Sequence, residues 1–149
     1  MREYMIALSP DMNDSARGKA VTANNVGLEY LQMERYPEAE RWFLKALEFD
    51  GGYGRTYYHL GLISYIKADV TGSPESLLDA ERYLKKVFEH YYTFGRANLI
   101  LAKVYLKMGE REKAVGEAKT AVKSGLPPAL LKEAEEIIVV NDEGGKDEP

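Results

Sequence analysis

The stretch RYPEAERWFLKALEFD, residues 35–50, places two alanines seven residues apart, Ala39 and Ala46, among bulky side chains. Pro37 stands where the first turn of a helix tolerates proline. Small residues at positions that could bury larger ones indicate the close approach of a second helix, because protein interiors pack at near-crystalline density. The stretch therefore predicts one helix of a tightly packed pair.

The same spacing of small and bulky residues occurs again along the chain. Gly27 is followed 3, 12, 16 and 19 residues later by Tyr30, Ala39, Phe43 and Ala46. Ala102 is followed at the same distances by Tyr105, Ala114, Ala118 and Ala121. Between them, Gly61 is followed by Ala80, Leu84 and Val87. Each of these three lies seven residues farther from Gly61 than the matching residue of the first copy lies from Gly27. One unit is therefore repeated three times, with a seven-residue insertion in the second copy.

Turn signals divide the chain into helical segments. We predict helices over residues 15–33, 37–49, 54–70, 74–91, 95–108, 111–124 and 128–140. Seven inserted residues equal about two helical turns, so they can lengthen two helices without rotating their faces. We expect a protruding helical hairpin tip near residues 67–77.

The segments NNVGLEYLQMERYPEAERWFLKALEFD and ILAKVYLKMGEREKAVGEAKTAVKSGLP resemble the tetratricopeptide repeat (TPR) family, and the resemblance extends over about residues 20–127. It implies an all-α, right-handed superhelical stack, or solenoid, whose first helices line a concave wall. The three repeats would occupy residues 20–53, 54–94 and 95–126. Outside them we predict an N-terminal arm or remnant helix at 1–19, a capping helix at 127–140 and a disordered acidic tail at 141–149.

The composition argues against several classes of protein. A chain of 149 residues suits one domain, and the absence of cysteine excludes disulfides and thiolate sites. Three of its four net negative charges lie in residues 141–149, so the body is nearly neutral and not suited to nucleic acid or anionic lipid. No apolar run reaches the roughly 20 residues of a membrane helix, and the start lacks a signal-peptide core. We expect a cytoplasmic protein.

The sequence also lacks a recognisable catalytic constellation. His59 and His90 are its only histidines, and neither has a second ligand at metal-binding spacing. We therefore expect a non-catalytic protein that uses no cofactor or metal and acts by binding.

The first helix of each repeat has a second stripe roughly opposite its core stripe. The stripe residues are Asn24, Leu28, Leu31, Arg55, Tyr58, Leu62, Tyr65, Arg96, Leu99, Lys103 and Lys107. On a concave wall they would form one groove, apolar at the first repeat and basic toward the third. We predict a protein or peptide ligand with apolar and acidic residues, anchored by Tyr58, Leu62, Tyr65 and Leu99. The alternative is that these residues only pack helix against helix or against the capping helix.

One subset of the TPR family grips the C-terminal carboxylate of a chaperone with lysine, asparagine and arginine. Here Leu28, His59 and Ile100 occupy the corresponding places, and only Arg96 fits, so we do not expect a chaperone-tail receptor. Two further alternatives remain open. The second face could mediate self-association into a homo-oligomer, or the chain could be a regulatory domain of a larger protein.

Overall fold

Seven helices account for most of residues 15–142, the range that the computed structural model describes. They are α1 (Ala16–Gln32), α2 (Tyr36–Phe49), α3 (Arg55–Thr71), α4 (Pro74–Val87), α5 (Gly95–Met108), α6 (Arg111–Ser124) and α7 (Pro128–Asn141). No strand occurs within this range, and the predicted all-α helical-repeat class is confirmed. None of these helices is long and apolar enough to cross a membrane.

Local signals account for where the helices begin and end. The Ser15 hydroxyl caps α1 by accepting a bond of 2.8 Å from the Gly18 N–H, and Ser73 caps α4 by accepting one of 3.3 Å from the Ser76 N–H. Gly72 and Gly109 end α3 and α5 in the left-handed conformation, with φ of 70° and 80°. These residues allow the chain to reverse direction between the helices of a pair.

The small residues permit close contact within each helix pair. A Cβ atom at Gly27 of α1 would lie 2.5 Å from the Phe43 ring of α2. A Cβ atom at Gly61 of α3 would lie 2.7 Å from Leu84 Cγ of α4, and both bulky partners are fully buried. In the third pair, α5 and α6, the equivalent residue is Ala102, which is also fully buried. This is the role that the repeated spacing predicts.

The final helix covers the open side of the third pair. Ala134 and Ile137 of α7 pack into a cluster with Leu99, Ala102 and Ala118 of α5 and α6. Parts of both predicted flanks belong to the helical body: α1 begins at Ala16, inside the predicted arm, and α7 includes Asn141. Asp142 forms an ion pair of 3.2 Å with Lys119. The rest of the predicted arm and tail, residues 1–14 and 143–149, lies outside the described residues.

One predicted helix end is wrong. The segment 74–91 was expected to be helical throughout, but α4 ends at Val87 and a turn follows. The turn places the His90 ring in a stack on Tyr57 of α3, with 5.7 Å between ring centroids. Tyr91 then packs edge-on against Phe94, at 5.4 Å. Contact with these aromatic rings outweighs continuation of the helix.

The seven inserted residues lengthen the second helix pair. α3 extends ten residues beyond Gly61, whereas α1 extends five beyond Gly27. α4 begins three residues earlier, relative to the repeated alanine, than α2 does. The resulting tip exposes Val70, and two ion pairs hold its base, Lys67 to Glu40 at 2.7 Å and Lys107 to Asp69 at 2.6 Å.

Deleting residues 69–75 is expected to leave a folded protein. The deletion removes six exposed residues, the half-buried helix cap Ser73 and the ion pair of Asp69 with Lys107. The ion pair contributes about 0–1 kcal/mol and the cap about 0.5–2 kcal/mol, so the variant should be less stable than wild type but still folded. Circular dichroism and urea unfolding should show native helical signal with cooperative unfolding. Loss of cooperativity would show that the tip is part of the core packing.

Candidate functional site

The first helices of the three pairs and α7 stand side by side. The rings of Tyr58 and Phe94, near the starts of α3 and α5, lie 5.0 Å apart. Lys107 pairs with Asp69 near the ends of the same two helices, so these helices run in the same direction. Lys103 bridges α5 to α7 through Glu133 at 2.6 Å. We call the accessible side of α1, α3, α5 and α7 the first-helix face.

Most of the predicted groove residues lie on this face. Half-buried side chains are those of Leu28, Leu31, Tyr58, Leu62, Tyr65 and Lys103. Exposed ones are those of Arg55, Arg96 and Lys107. The tyrosines and Leu62 also pack sideways on the core cluster that includes Ile100 and Leu101, so this face is not separate from the core as the helical periodicity suggested.

Two predicted groove residues are buried instead. Asn24 is 1% exposed, and its Oδ1 accepts bonds of 3.1 Å from Thr56 Oγ1 and from His59 Nδ1 of α3. Leu99 is 2% exposed because α7 covers it. Both predictions are wrong: the side chain of Asn24 joins two helices, and that of Leu99 belongs to the core beneath α7.

Where α3 and α5 end, the face is not basic, which corrects part of the charge pattern predicted from the stripes. Lys103 and Lys107 are each paired at 2.6 Å, with Glu133 and with Asp69. The hydrogen bond from Lys107 to Asp69 raises the pKa of that lysine. By contrast, no carboxylate within residues 15–142 lies within 4.0 Å of Arg55 or Arg96.

An aromatic row crosses the face near the starts of α3 and α5. The His59 ring stacks on Phe43 at 5.1 Å and meets Tyr58 edge-on at 5.3 Å. Burial, with a smaller contribution from Arg55, lowers the pKa of His59 to about 4. Burial raises the pKa of Tyr58, while Arg96 opposes the shift. His59 is therefore neutral at pH 7, with its Nδ1 proton donated to Asn24.

A pocket opens on the face where α3, α5 and α7 meet. Its volume is about 340 Å³, and it is lined by Tyr65, Lys103, Leu106, Glu133, Glu136, Ile137, Val140 and Asn141. The sequence interpretation treated α7 only as a cap and missed its part in this surface. The signal was present in the helical spacing that puts Glu133 and Ile137 four residues apart on one side of α7.

Nothing in the described part of the chain suggests metal chemistry. Residues 15–142 contain no group of three or more histidine, aspartate or glutamate side chains placed to hold a metal ion. The two histidines instead take part in stacking, with Phe43 and with Tyr57.

Neither the protein-family models nor the curated protein sequences give a match to this chain. Similar solved structures exist. The Yersinia enterocolitica type III secretion chaperone SycD, in complex with a peptide of the translocator YopD, is 14% identical, with a TM-score of 0.71 over 85% of this chain and 95% of SycD. The first TPR of Spaghetti (RPAP3), bound to the HSP90 peptide SRMEEVD, is 14% identical, with a TM-score of 0.70 over 83% and 94%.

A type III secretion complex from Aeromonas hydrophila is also similar, at 17% identity and a TM-score of 0.69, covering 97% of this chain and 89% of that one. At these identities the shared property is the fold. The protein therefore has a TPR-like helical-repeat fold, as the sequence resemblance implied.

Proposed function

We propose that the protein is a non-catalytic scaffold that holds a segment of a partner protein on its first-helix face. The observation that carries this proposal is a set of half-buried apolar side chains on α1, α3 and α5, namely Leu28, Leu31, Tyr58, Leu62, Tyr65 and Leu106. Contiguous apolar surface rimmed by charges is typical of interaction sites. A peptide or helix would complete the burial of these side chains.

Two of the similar structures support a peptide as the class of ligand. SycD is in complex with a peptide of YopD, and the Spaghetti repeat is bound to an HSP90 peptide. The same fold can hold unrelated ligands, so the ligand chemistry has to come from this chain's own residues.

A free chaperone C-terminus is not the ligand we propose. The carbonyl oxygen of Asn24 already accepts bonds from Thr56 and His59. Ile100, at one of the places that a carboxylate grip would fill with a polar group, is apolar and buried. Apolar anchors on the partner fit these surroundings better than a terminal carboxylate.

Site-specific photo-cross-linking would test the proposed function. Benzoylphenylalanine replaces Ile66, half-buried on the first-helix face, or Leu44, which is 42% exposed on α2. In extract of the source cells, we expect the Ile66 probe to give a discrete cross-linked product at both low and high salt. Mass spectrometry then identifies the partner segment. Equal products from the Leu44 probe would contradict binding on the first-helix face.

Tyr65→Ala is expected to weaken binding of that segment by about tenfold or more, because aromatic side chains near the centre of an interface dominate binding energy. Isothermal titration calorimetry at two salt concentrations should show the loss at both. Tyr92→Ala is the matched control, since Tyr92 is fully exposed in the loop between α4 and α5. Because Tyr65 also packs on the core, thermal melting must show that the variant is folded at the assay temperature. Equal affinity for wild type and variant would remove Tyr65 from the site.

A further inference from the structure

The charges on the first-helix face are separated along its helices. We infer that the bound segment has acidic residues at one end, over the starts of α3 and α5, and a basic residue beside an apolar side chain at the other, over the pocket between α5 and α7. This inference rests on the proposed function and names the chemistry of the partner. It adds a basic residue to the ligand predicted from the sequence, which had apolar and acidic residues.

The positive end consists of two arginines at helix starts. Arg55 is the first residue of α3 and Arg96 the second residue of α5. Both are exposed, and neither has a carboxylate within 4.0 Å among residues 15–142. The partial positive charge of a helix N-terminus has the same sign as these side chains. Arginine binds carboxylates through two parallel hydrogen bonds, so acidic side chains of a ligand suit this end.

The residues that line the pocket at the opposite end carry a net negative charge. The charges of Lys103 and Lys107 are balanced by Glu133 and Asp69. Glu136 adds a further carboxylate at the rim of the pocket, and no cation within residues 15–142 lies within 4.0 Å of it. A uniformly acidic ligand would meet repulsion here. A lysine or arginine of the ligand would instead have an available partner.

The pocket at this end suits an apolar side chain. Leu106 and Ile137 form its apolar part, and its volume of about 340 Å³ is at the lower limit of ordinary ligand sites, about 300–1,000 Å³. Ten residues of α5 separate Arg96 from Leu106, which at 1.5 Å per residue is about 15 Å. That distance exceeds the Debye length of about 8 Å at physiological salt. The two ends therefore attract opposite charges independently.

Three synthetic peptides can serve as probes. The first has an acidic block, two central leucines and a basic block. The second has the same composition with alternating charges, and the third has only acidic residues around the leucines. We expect the first to bind most tightly, by roughly tenfold. A nitroxide at its acidic end should broaden the amide resonances of Arg55 and Arg96, and a nitroxide at its basic end those of Glu136 and Ile137.

Charge-reversal variants complete the experiment. Arg96→Glu and Glu136→Lys should each weaken binding of the first peptide severalfold. The matched controls, Arg41→Glu on α2 and Glu135→Lys on α7, change exposed residues away from the pocket and should leave the affinity unchanged.

The inference would be overturned if the first two peptides bound equally well. It would also be overturned if each nitroxide label broadened both sets of resonances. Either result would leave the proposed function intact. Binding of none of the three peptides, or dimer formation in light scattering that buries this face, would also overturn the inference. The proposed function would then be judged by the cross-linking experiment, which does not depend on these peptides.

Discussion

Gly61→Leu is expected to lower the free energy of unfolding by about 3 kcal/mol, the upper part of the range for overpacked cores. Even a single Cβ atom at this position would lie 2.7 Å from Leu84 Cγ and 2.8 Å from Leu84 Cδ2. Leu84 is fully buried, so it cannot relieve the contact by turning into solvent. Separating α3 from α4 is the remaining adjustment, and it would disturb the cores on both sides of the pair.

Urea unfolding of three proteins measures this effect. Gly27→Leu should behave like Gly61→Leu, because a Cβ atom there would contact the buried Phe43 ring at 2.5 Å. Gly116→Ala is the control: no atom lies within 4 Å of a Cβ at this helical position, and alanine should stabilise α6 by about 0.5–1 kcal/mol. Equal unfolding midpoints for the leucine variants and wild type would contradict the close pairing of helices.

Acidification from pH 7 to pH 4 is expected to destabilise the protein by up to about 3 kcal/mol through His59 alone. The pKa of His59 is about 4 in the folded protein and about 6.5 in the unfolded chain, where the ring is solvated. Between these values the unfolded chain binds more protons than the folded one, so folding becomes less favourable as the pH falls. Well above pH 6.5 the ring is neutral in both states, and protonation of His59 no longer lowers the free energy of unfolding.

Other acidic and basic groups also titrate on acidification, so a variant is needed to isolate the contribution of His59. His59→Gln cannot gain the proton, and its side-chain amide offers a donor to Asn24. The free energy of unfolding of this variant should fall less steeply between pH 6.5 and pH 4 than that of wild type. Parallel curves for wild type and His59→Gln would exclude a buried neutral His59.

The fold could be predicted from the sequence because its determinants are local or periodic. The spacing of Gly27, Phe43 and Ala46 reports the contact within one helix pair, and the same spacing returns in the other copies. Helix boundaries followed from residues such as Ser73 and Gly109, which act on their own chain neighbours. The end of α4 was missed because its cause is a distant contact, that of His90 with Tyr57.

The candidate site was less predictable, because accessibility and net charge depend on neighbouring helices. The periodicity of α1 alone cannot show that Asn24 bonds to α3, nor can that of α5 show that α7 covers Leu99. The partners of Lys103 and Lys107 are 30 and 38 residues away in sequence. Helical periodicity thus groups residues on one side of a helix without showing which of them remain accessible or uncompensated.

The most direct test of the proposed binding face is a titration followed by amide chemical shifts. The titrant is the partner segment identified in the cross-linking experiment. We predict that the largest changes occur on α1, α3 and α5, at Leu31, Leu62 and Leu106, and extend to Ile137 of α7. The outer helices α2, α4 and α6 should change little. If the largest changes instead occurred at exposed residues of those outer helices, such as Leu44 and Leu78, they would contradict binding on the first-helix face.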